Sequence, residues 1–423
     1  MSANMALRCS ESPISEADSR LQGKRVAMVT FSPYPGDPRP RRVIDVLLRE
    51  GLTVDLVCLG SQGAQRRESL NGINILRLPI VHRRDSKFAY VWNYSSFIFL
   101  SACILAYRSL KRRYDLVYIN NMPDVLVVSA LFPKLLGAKV ILDLHDPMPE
   151  LMSTIFKLDD SSLSVRLVRW LEKWSIARAH TVLTVNNACK RAFASRSCPP
   201  EKIHVVMNSP DEGIIPFRRP RSQTSAGDVP SKRFVMMYHG SMVERNGLEV
   251  AVDALALVRK KIPAAELRIY TRETPFLHKV MDRARSNGLE NCVRFMGPKQ
   301  LEEIVREIEA CDLGIVPNQM NAFTQICTPT RIFEYLSMGK PVIAPRTTGV
   351  QDYFDQDALL FFEPGDTDEL ARMIEYVAFR RSEAIERVHL GQRVLLKHTW
   401  SRESRVLVDA VDELLNGGKR DCS

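Results

Sequence analysis

Residues 328–345 read TPTRIFEYLSMGKPVIAP. Thr328 is a preferred helix N-cap residue, and Pro329 suits the first helical position. Ile332, Phe333, Tyr335 and Leu336 then fall on the apolar positions of a short helix. Gly339 ends it, and Pro341 blocks its continuation into the apolar strand Val342-Ile343-Ala344. Arg331 and Glu334 lie in the first two turns. A helix start with free N–H groups, a nearby cation and one carboxylate can hold a phosphate and the sugar next to it. An amphipathic surface helix with a solvated Arg and Glu has the same spacing, so the stretch acquires its meaning from its surroundings.

Upstream of it, strand and helix patterns alternate from Phe234 onward: strands near 234–238, 266–270, 292–296 and 312–316, with helices near 247–260, 274–287 and 299–309 between them. Another strand, 359–362, and helices near 366–379, 381–396 and 401–415 follow. The first half repeats the alternation. Arg25–Phe31 opens it, a loop over 32–42 and a helix from Val43 follow, and strands are expected at 52–59, 76–79, 115–119, 139–142, 181–185 and 203–206. Helices are expected at 124–136, 164–178 and 187–194. Residues 209–232, rich in Pro, Gly, Ser and Arg, interrupt the pattern. The expected organisation is a disordered tail over 1–23, an α/β domain over 24–208, a linker over 209–232, and a second α/β domain over 233–396. Residues 397–423 form a helix and tail with a path open back to the first domain. Ligands of such sheets bind at the carboxyl ends of the strands, so two such domains direct a site to the cleft between them.

The 423 residues carry a net charge of +10, which suits an anionic partner without choosing one. The basic residues are dispersed and match no nucleic-acid motif, so a nucleic-acid partner is not expected. Nine cysteines, an odd number without a CxxC pair, read as reduced thiols, those at 58, 103, 292 and 311 lying in or beside apolar runs. No apolar signal-peptide core occurs in residues 1–23. Phe88–Tyr107 is twenty residues without a charge, flanked by Arg83, Arg84, Arg112 and Arg113. By length it is a transmembrane candidate, but its polar Asn93, Ser95, Ser96 and Ser101, and its position between strands of one sheet, leave two other readings. These are a buried helix and a helix lying on an anionic membrane.

Several residues could carry chemistry. In the second domain, Gly240 and Gly247 permit close backbone approach to a ligand, Arg245 adds a cation to the same loop, and Arg272 and Gly297 follow the next two strands. Glu334 is placed to bind ribose hydroxyls. In the first domain His145 and Asp146 follow strand 139–142, with Glu150 in the same loop. The loop after the first strand holds Gly36, Asp37 and a run of arginines. The sequence has no GxGxxG fingerprint, HExxH, Cys/His zinc spacing, GxSxG or suitably placed DxD, so no nicotinamide, flavin or metal cofactor is expected.

DPRPRR (37–42), YDLVYINNMPD (114–124), DLHDPMPE (143–150), YHGSMVERNG (238–247), VRFMGP (293–298) and PTRIFEYLSMGKPVIAP (329–345), in this order, resemble the GT-B fold glycosyltransferases of retaining family 4, in the branch that builds bacterial exopolysaccharide or lipopolysaccharide. The resemblance covers most of 24–416. It implies two Rossmann-like doubly wound domains and transfer of a sugar, with retention and without metal, from a nucleotide-sugar donor to a glycan or lipid-linked acceptor. The expected location is the cytoplasm, at the inner face of the cytoplasmic membrane, with an anionic membrane surface as partner through 82–113. It further implies that His145 faces the donor sugar as the catalytic residue. Gly240, Arg245, Thr328, Thr330 and Arg331 approach the phosphates and Glu334 the ribose, with Arg272 and Gly297 also on the donor side. Gly36, Asp37, Asp146 and Glu150 lie toward the acceptor. The chain departs from the family pattern twice. Ile326 stands where a glutamate often precedes Glu334, and Ser241 and Asn246 stand where the glycine loop often carries Arg and Lys. Arg245 and Arg331 are the nearest cations in sequence to replace that charge. An acceptor-independent nucleotide-sugar epimerase or hydrolase of the same fold is the alternative.

Overall fold

The computed structural model describes residues 20–61, 63–70, 72–80, 87–220 and 233–417. Most of the expected tail, half of the expected linker and residues 82–86 of the expected membrane contact lie outside these. Of the tail, residues 20–23 form a turn, and Leu21 is fully buried, so the folded chain begins before residue 24.

The first sheet contains β1 (Arg25–Pro33), β2 (Thr53–Leu59), β3 (Arg67–Leu70), β4 (Ile73–Leu78), β5 (Leu116–Asn120), β6 (Lys139–Leu144), β7 (Thr181–Thr184) and β8 (Ile203–Val205). Their order is β3-β4-β2-β1-β5-β6-β7-β8, parallel throughout except for the β3–β4 hairpin. That hairpin escaped the sequence reading because RESL has no apolar alternation, and β4 begins three residues earlier than the apolar run suggested. The second sheet contains β9 (Phe234–His239), β10 (Ala265–Tyr270), β11 (Val293–Phe295), β12 (Leu313–Ile315), β13 (Val342–Pro345) and β14 (Leu360–Phe362). It is wholly parallel, in the order β11-β10-β9-β12-β13-β14. Inner strands such as LVYIN and FVMMYH are buried on both faces, as parallel strands covered by helices must be. Each sheet has an apolar core on either side.

Four local readings change. Asp37, read as part of a loop, caps a helix at Pro38–Arg49, its carboxylate accepting from Arg39 N–H at 3.2 Å. The segment expected as one helix over 124–136 is a 3-10 turn, Asp124–Ala130, followed by a short helix, Leu131–Leu135. The loop with Glu150 is a helix, Met148–Phe156. The helix of the opening stretch spans Thr330–Ser337 with Pro329 as its N-cap. Thr328 does not cap it, because its hydroxyl donates to the Gly349 carbonyl at 2.6 Å.

The uncharged stretch forms part of helix Lys87–Lys111. Among the described residues no helix is long and apolar enough to cross a membrane, which removes the transmembrane reading. Phe97, Ser101 and Leu105 are buried in the first domain, while Phe99, Cys103 and Tyr107 are exposed, so this helix has two distinct faces. The described part of the linker is packed: Ser209 and Ile215 are buried, and Arg218 N–H donates to the Ser337 carbonyl at 2.7 Å. The final helix, Trp400–Asn416, returns to the first domain, where Trp400, Leu407 and Val411 share a core with Val43 and Leu47.

Candidate functional site in the interdomain cleft

The carboxyl ends of the two sheets face one another across a cleft of about 280 Å³. Asp37, Arg41 and His145 line it from the first domain, and Leu301, Thr330 and Glu334 from the second. Residues far apart in sequence thus share one cavity, as two facing doubly wound domains require.

On the first-domain side the organising residue is Asp143, the penultimate residue of β6, and it is fully buried. Arg39 holds it with two bonds, Nε to Oδ2 at 2.9 Å and Nη2 to Oδ1 at 2.6 Å, and the Tyr118 hydroxyl donates to Oδ2 at 2.7 Å. Burial alone would raise the Asp143 carboxyl. The Arg39 guanidinium and His145 overcome it and hold the group well below the usual carboxylate range. Nε2 of His145 lies 3.3 Å from Asp143 Oδ2, close but without a well-formed hydrogen bond. The His145 N–H donates to Asn121 Oδ1 at 2.9 Å, and Asn121 Nδ2 donates to the Asp146 carbonyl at 3.2 Å, which fixes the loop after β6. The Asp146 carboxyl is raised by burial, against the pull of His145 and of Arg245 from the other domain.

On the second-domain side, β9 ends with His239, and Gly240 follows it. Gly240 has φ of +121°, and a Cβ there would meet Arg331 Nη2 at 3.2 Å. This glycine therefore makes room for the Arg331 guanidinium, which lies 4.6 Å over the Tyr238 ring and keeps Nη1 without a hydrogen-bond partner among the described residues. Gly247 serves packing: a Cβ would come within 2.0 Å of the Pro317 carbonyl oxygen. Asn246, at the position where the family often has a cation, is buried and donates to the Ser241 carbonyl at 2.7 Å, closing the loop on itself. Arg245 stacks over Phe323 at 5.4 Å. Glu334 is partly buried, with Oε2 3.2 Å from His239 Nε2. Burial pushes the Glu334 carboxyl up to about 7, with Arg331 and Arg42 pulling the other way. Burial and Arg331 push His239 down to about 3, so it is neutral at physiological pH. No side chain caps the start of helix Thr330–Ser337, and its first turn has no acid, so it presents a positive end to the cleft.

Not every expected residue joins this arrangement. His145, Asp37, Thr330 and Glu334 line the cavity, and Arg331, Gly240, Arg245 and Asp146 flank it. Arg272 and Gly297 sit at the ends of β10 and β11, apart from the cavity, with Arg272 exposed. Gly36 is exposed in the turn before Asp37. Glu150 is held by Arg196, whose Nη2 donates to it at 3.0 Å while also binding Glu172. That ion-pair network ties helix 148–156 to its neighbours and is a structural duty. Arg39 and Arg42, read as part of a basic acceptor-side loop, are buried. Arg42 stacks over Trp400 at 4.8 Å, and burial pushes it down to about 10. Sequence reasoning missed Asp143, Tyr118, Arg39 and His239 as site-building residues. Asp143 had a signal, since it lies at the carboxyl end of β6, where ligands of such sheets bind. Arg39 had none, its partner being 104 residues away. Among the described residues no group of three or more His, Cys, Asp or Glu side chains is disposed to hold a metal ion.

Two Rossmann-like domains facing across a cleft define the GT-B architecture. The chain belongs to the glycosyltransferases: residues 36–209 match the glycosyl transferase 4-like domain, and residues 233–378 match the glycosyl transferases group 1 domain. It is similar to the amylovoran biosynthesis glycosyltransferase AmsK of Erwinia amylovora, at 24% identity over 201 residues, 47% of each chain. It is also similar to the probable glycosyltransferase WbjE of Pseudomonas aeruginosa, at 24% over 283 residues, 64% of this chain and 67% of that one. The alignment with AmsK thus spans about half of that relative's length. The fold matches HepE of Anabaena, solved in complex with UDP-glucose, with a TM-score of 0.68 at 17% identity, covering 92% of this chain and 100% of that one.

Proposed function

We propose that this protein transfers a sugar from a nucleotide-sugar, held by the second domain, to a glycan or lipid-linked acceptor presented by the first, in the synthesis of a cell-surface polysaccharide. The observation that carries this is the single cleft lined by His145 on one side and by Thr330 and Glu334 on the other. In it, Glu334 accepts hydrogen bonds from ribose hydroxyls. The uncapped helix start and the open Nη1 of Arg331 stabilise the diphosphate as its bond to the sugar breaks and charge develops on the leaving oxygen. His145, tethered beside Asp143, faces the sugar. The acceptor oxygen takes the place of the diphosphate on the same face of the sugar, giving retention, and its proton leaves with the diphosphate. Neither a metal nor a cofactor takes part. A uridine nucleotide is the first donor to try, since HepE was solved with UDP-glucose. The work is done at the inner face of the cytoplasmic membrane.

The test is incubation of the full chain with UDP-sugars, with and without membrane lipid and with a chelator, reading product and anomer by NMR. Acceptor-dependent, chelator-resistant formation of a retained product is expected, and Arg331→Ala should lower kcat about 100-fold, as loss of one donor to a developing anion does. Free sugar or an epimerised nucleotide-sugar formed equally well without lipid would replace transfer by the epimerase or hydrolase alternative. Nothing in the site favours that alternative.

A further inference from the structure

Three helices cover one flank of the first sheet. Lys87–Lys111 and Leu131–Leu135 are joined there by Leu163–Arg178, all three packing against the turn Asp124–Ala130. Their inner sides are buried through Phe97, Leu105, Val165 and Ile176. Their outer sides are not polar. On the first helix Phe99, Tyr107 and Leu110 are exposed, and on the short one Leu135 is 83% exposed. The sequence reading had no reason to add the third helix, yet its Leu163 is 80% exposed, with Leu167 and Trp170 exposed at helical spacing along the same side. So much exposed apolar side chain on one flank marks an interaction surface.

The charges on the three helices are almost all positive, with Asp160, in the loop before the third helix, paired to Arg169 at 2.8 Å. The three helices contain a single acid, Glu172, whose side chain is fully buried and bound by Arg196. Their exposed cations include Lys111, Arg166 and Lys173, and Arg112 and Arg113 follow at once. Aromatic rings and cations are paired at the helix ends, Lys111 lying 4.6 Å over Tyr107 and Arg178 4.3 Å over Trp174. Lys134 Nζ donates to the Arg178 carbonyl at 2.7 Å, joining the short helix to the end of the third. Apolar side chains within a cationic, aromatic rim match the boundary between acyl chains and anionic headgroups.

We propose that this flank docks the first domain on an anionic lipid bilayer, and that helix Leu163–Arg178 shares the contact with helix Lys87–Lys111. The proposal deepens the reading of a membrane-borne acceptor and rests on it, but it is tested without any sugar. It holds the acceptor-side domain at the lipid surface and leaves the donor-side domain off the contact.

The full chain is sedimented with vesicles of phosphatidylcholine containing phosphatidylglycerol, and with phosphatidylcholine alone. Two variants are compared, Leu163→Ser/Leu167→Ser/Trp170→Ser and Arg166→Ser/Lys173→Ser. Both sets of residues lie on the surface, and both variants should keep the wild-type melting temperature. The wild type should partition onto the anionic vesicles far more than onto the neutral ones, and each variant should lose at least about tenfold. Wild-type partition by either folded variant would overturn the shared contact. Equal partition onto neutral vesicles would overturn the anionic requirement. A wild-type dimer by light scattering that the triple variant dissolves, without vesicle binding, would assign the flank to a second copy of the chain instead. Vesicle binding by a protein that transfers no sugar would sink the proposed activity and leave this proposal standing.

Discussion

Glu334 shows how burial tunes a single residue. An exposed glutamate is ionised at neutral pH, but partial burial at the cleft pushes this one to about 7, while neighbouring His239 is pushed down to about 3. Only Glu334 of this pair therefore titrates near neutrality, and His239 stays a neutral partner. A raised carboxyl is stable when protonated. It therefore costs the fold stability as pH rises from the unfolded value toward 7, while a ligand that needs the carboxylate is bound more tightly over the same rise. UDP affinity, measured by calorimetry, should fall by up to about tenfold per pH unit below 7 and flatten above it. In Glu334→Gln it should be weak and flat. A wild-type profile without an inflection near 7 would remove Glu334 from ribose binding. Arg331 and Arg42 are the cations that pull against burial at this carboxyl, and His239 beside it is neutral throughout the range.

At the scale of elements, helix Pro38–Arg49 and strand β6 are locked by the Arg39–Asp143 pair, whose side chains are 4% and 0% exposed. Arg39 Nη1 also donates to the Val206 carbonyl and to Asn208 Oδ1, both at 2.9 Å, so the same guanidinium reaches the chain leading into the crossing segment. Removing one partner leaves the other charge buried and unpaired. Arg39→Met should destabilise the protein by about 3–5 kcal/mol in a denaturant titration, the range for a broken buried pair. Arg39→Lys should recover only part of it, because an ammonium cannot bind both carboxylate oxygens in a fork. A loss below about 1 kcal/mol for Arg39→Met would mean that Asp143 is satisfied by Tyr118 and water.

At the scale of the molecule, cross-domain contacts set the width of the cleft. Arg191 Nη2 binds both oxygens of Asp352 at 2.7 Å, the Asn187 N–H donates to the Tyr353 hydroxyl at 3.0 Å, and Asn186 Nδ2 donates to the Ile326 carbonyl at 2.9 Å. Glu403, at the start of the returning helix, accepts from Met207 N–H at 2.8 Å on the crossing segment. The Arg191–Asp352 pair is exposed on the arginine side, and such a pair contributes about 0.2–1 kcal/mol. Arg191→Ala should therefore leave the melting temperature nearly unchanged and weaken UDP binding by at most about fivefold, with a larger radius of gyration in small-angle scattering. A change in neither affinity nor radius would mean that the remaining contacts fix the cleft alone.

The alternation of apolar runs with helical periodicity was sufficient to read two α/β domains and the positions of nearly every parallel strand, because burial on both faces writes itself as continuous hydrophobic sequence. TPTRIFEYLSMGKPVIAP also announced its helix, its glycine stop and its strand. Local sequence did not determine what the polar residues do. DPRPRR read as part of a basic loop, yet two of its arginines are buried, since only the packed chain brings Asp143 and Trp400 to them. Helix Leu163–Arg178 was legible as a helix, but its apolar exposed side emerged only when the sheet beneath it was assembled. Arg331 reached Gly240 through space across some ninety residues, closing a loop whose family cations are missing. Periodicity is a property of neighbours in sequence and fixes the elements. The partners of a buried charge, and the side of a helix left uncovered, depend on residues distant in sequence, and those only the tertiary structure decides.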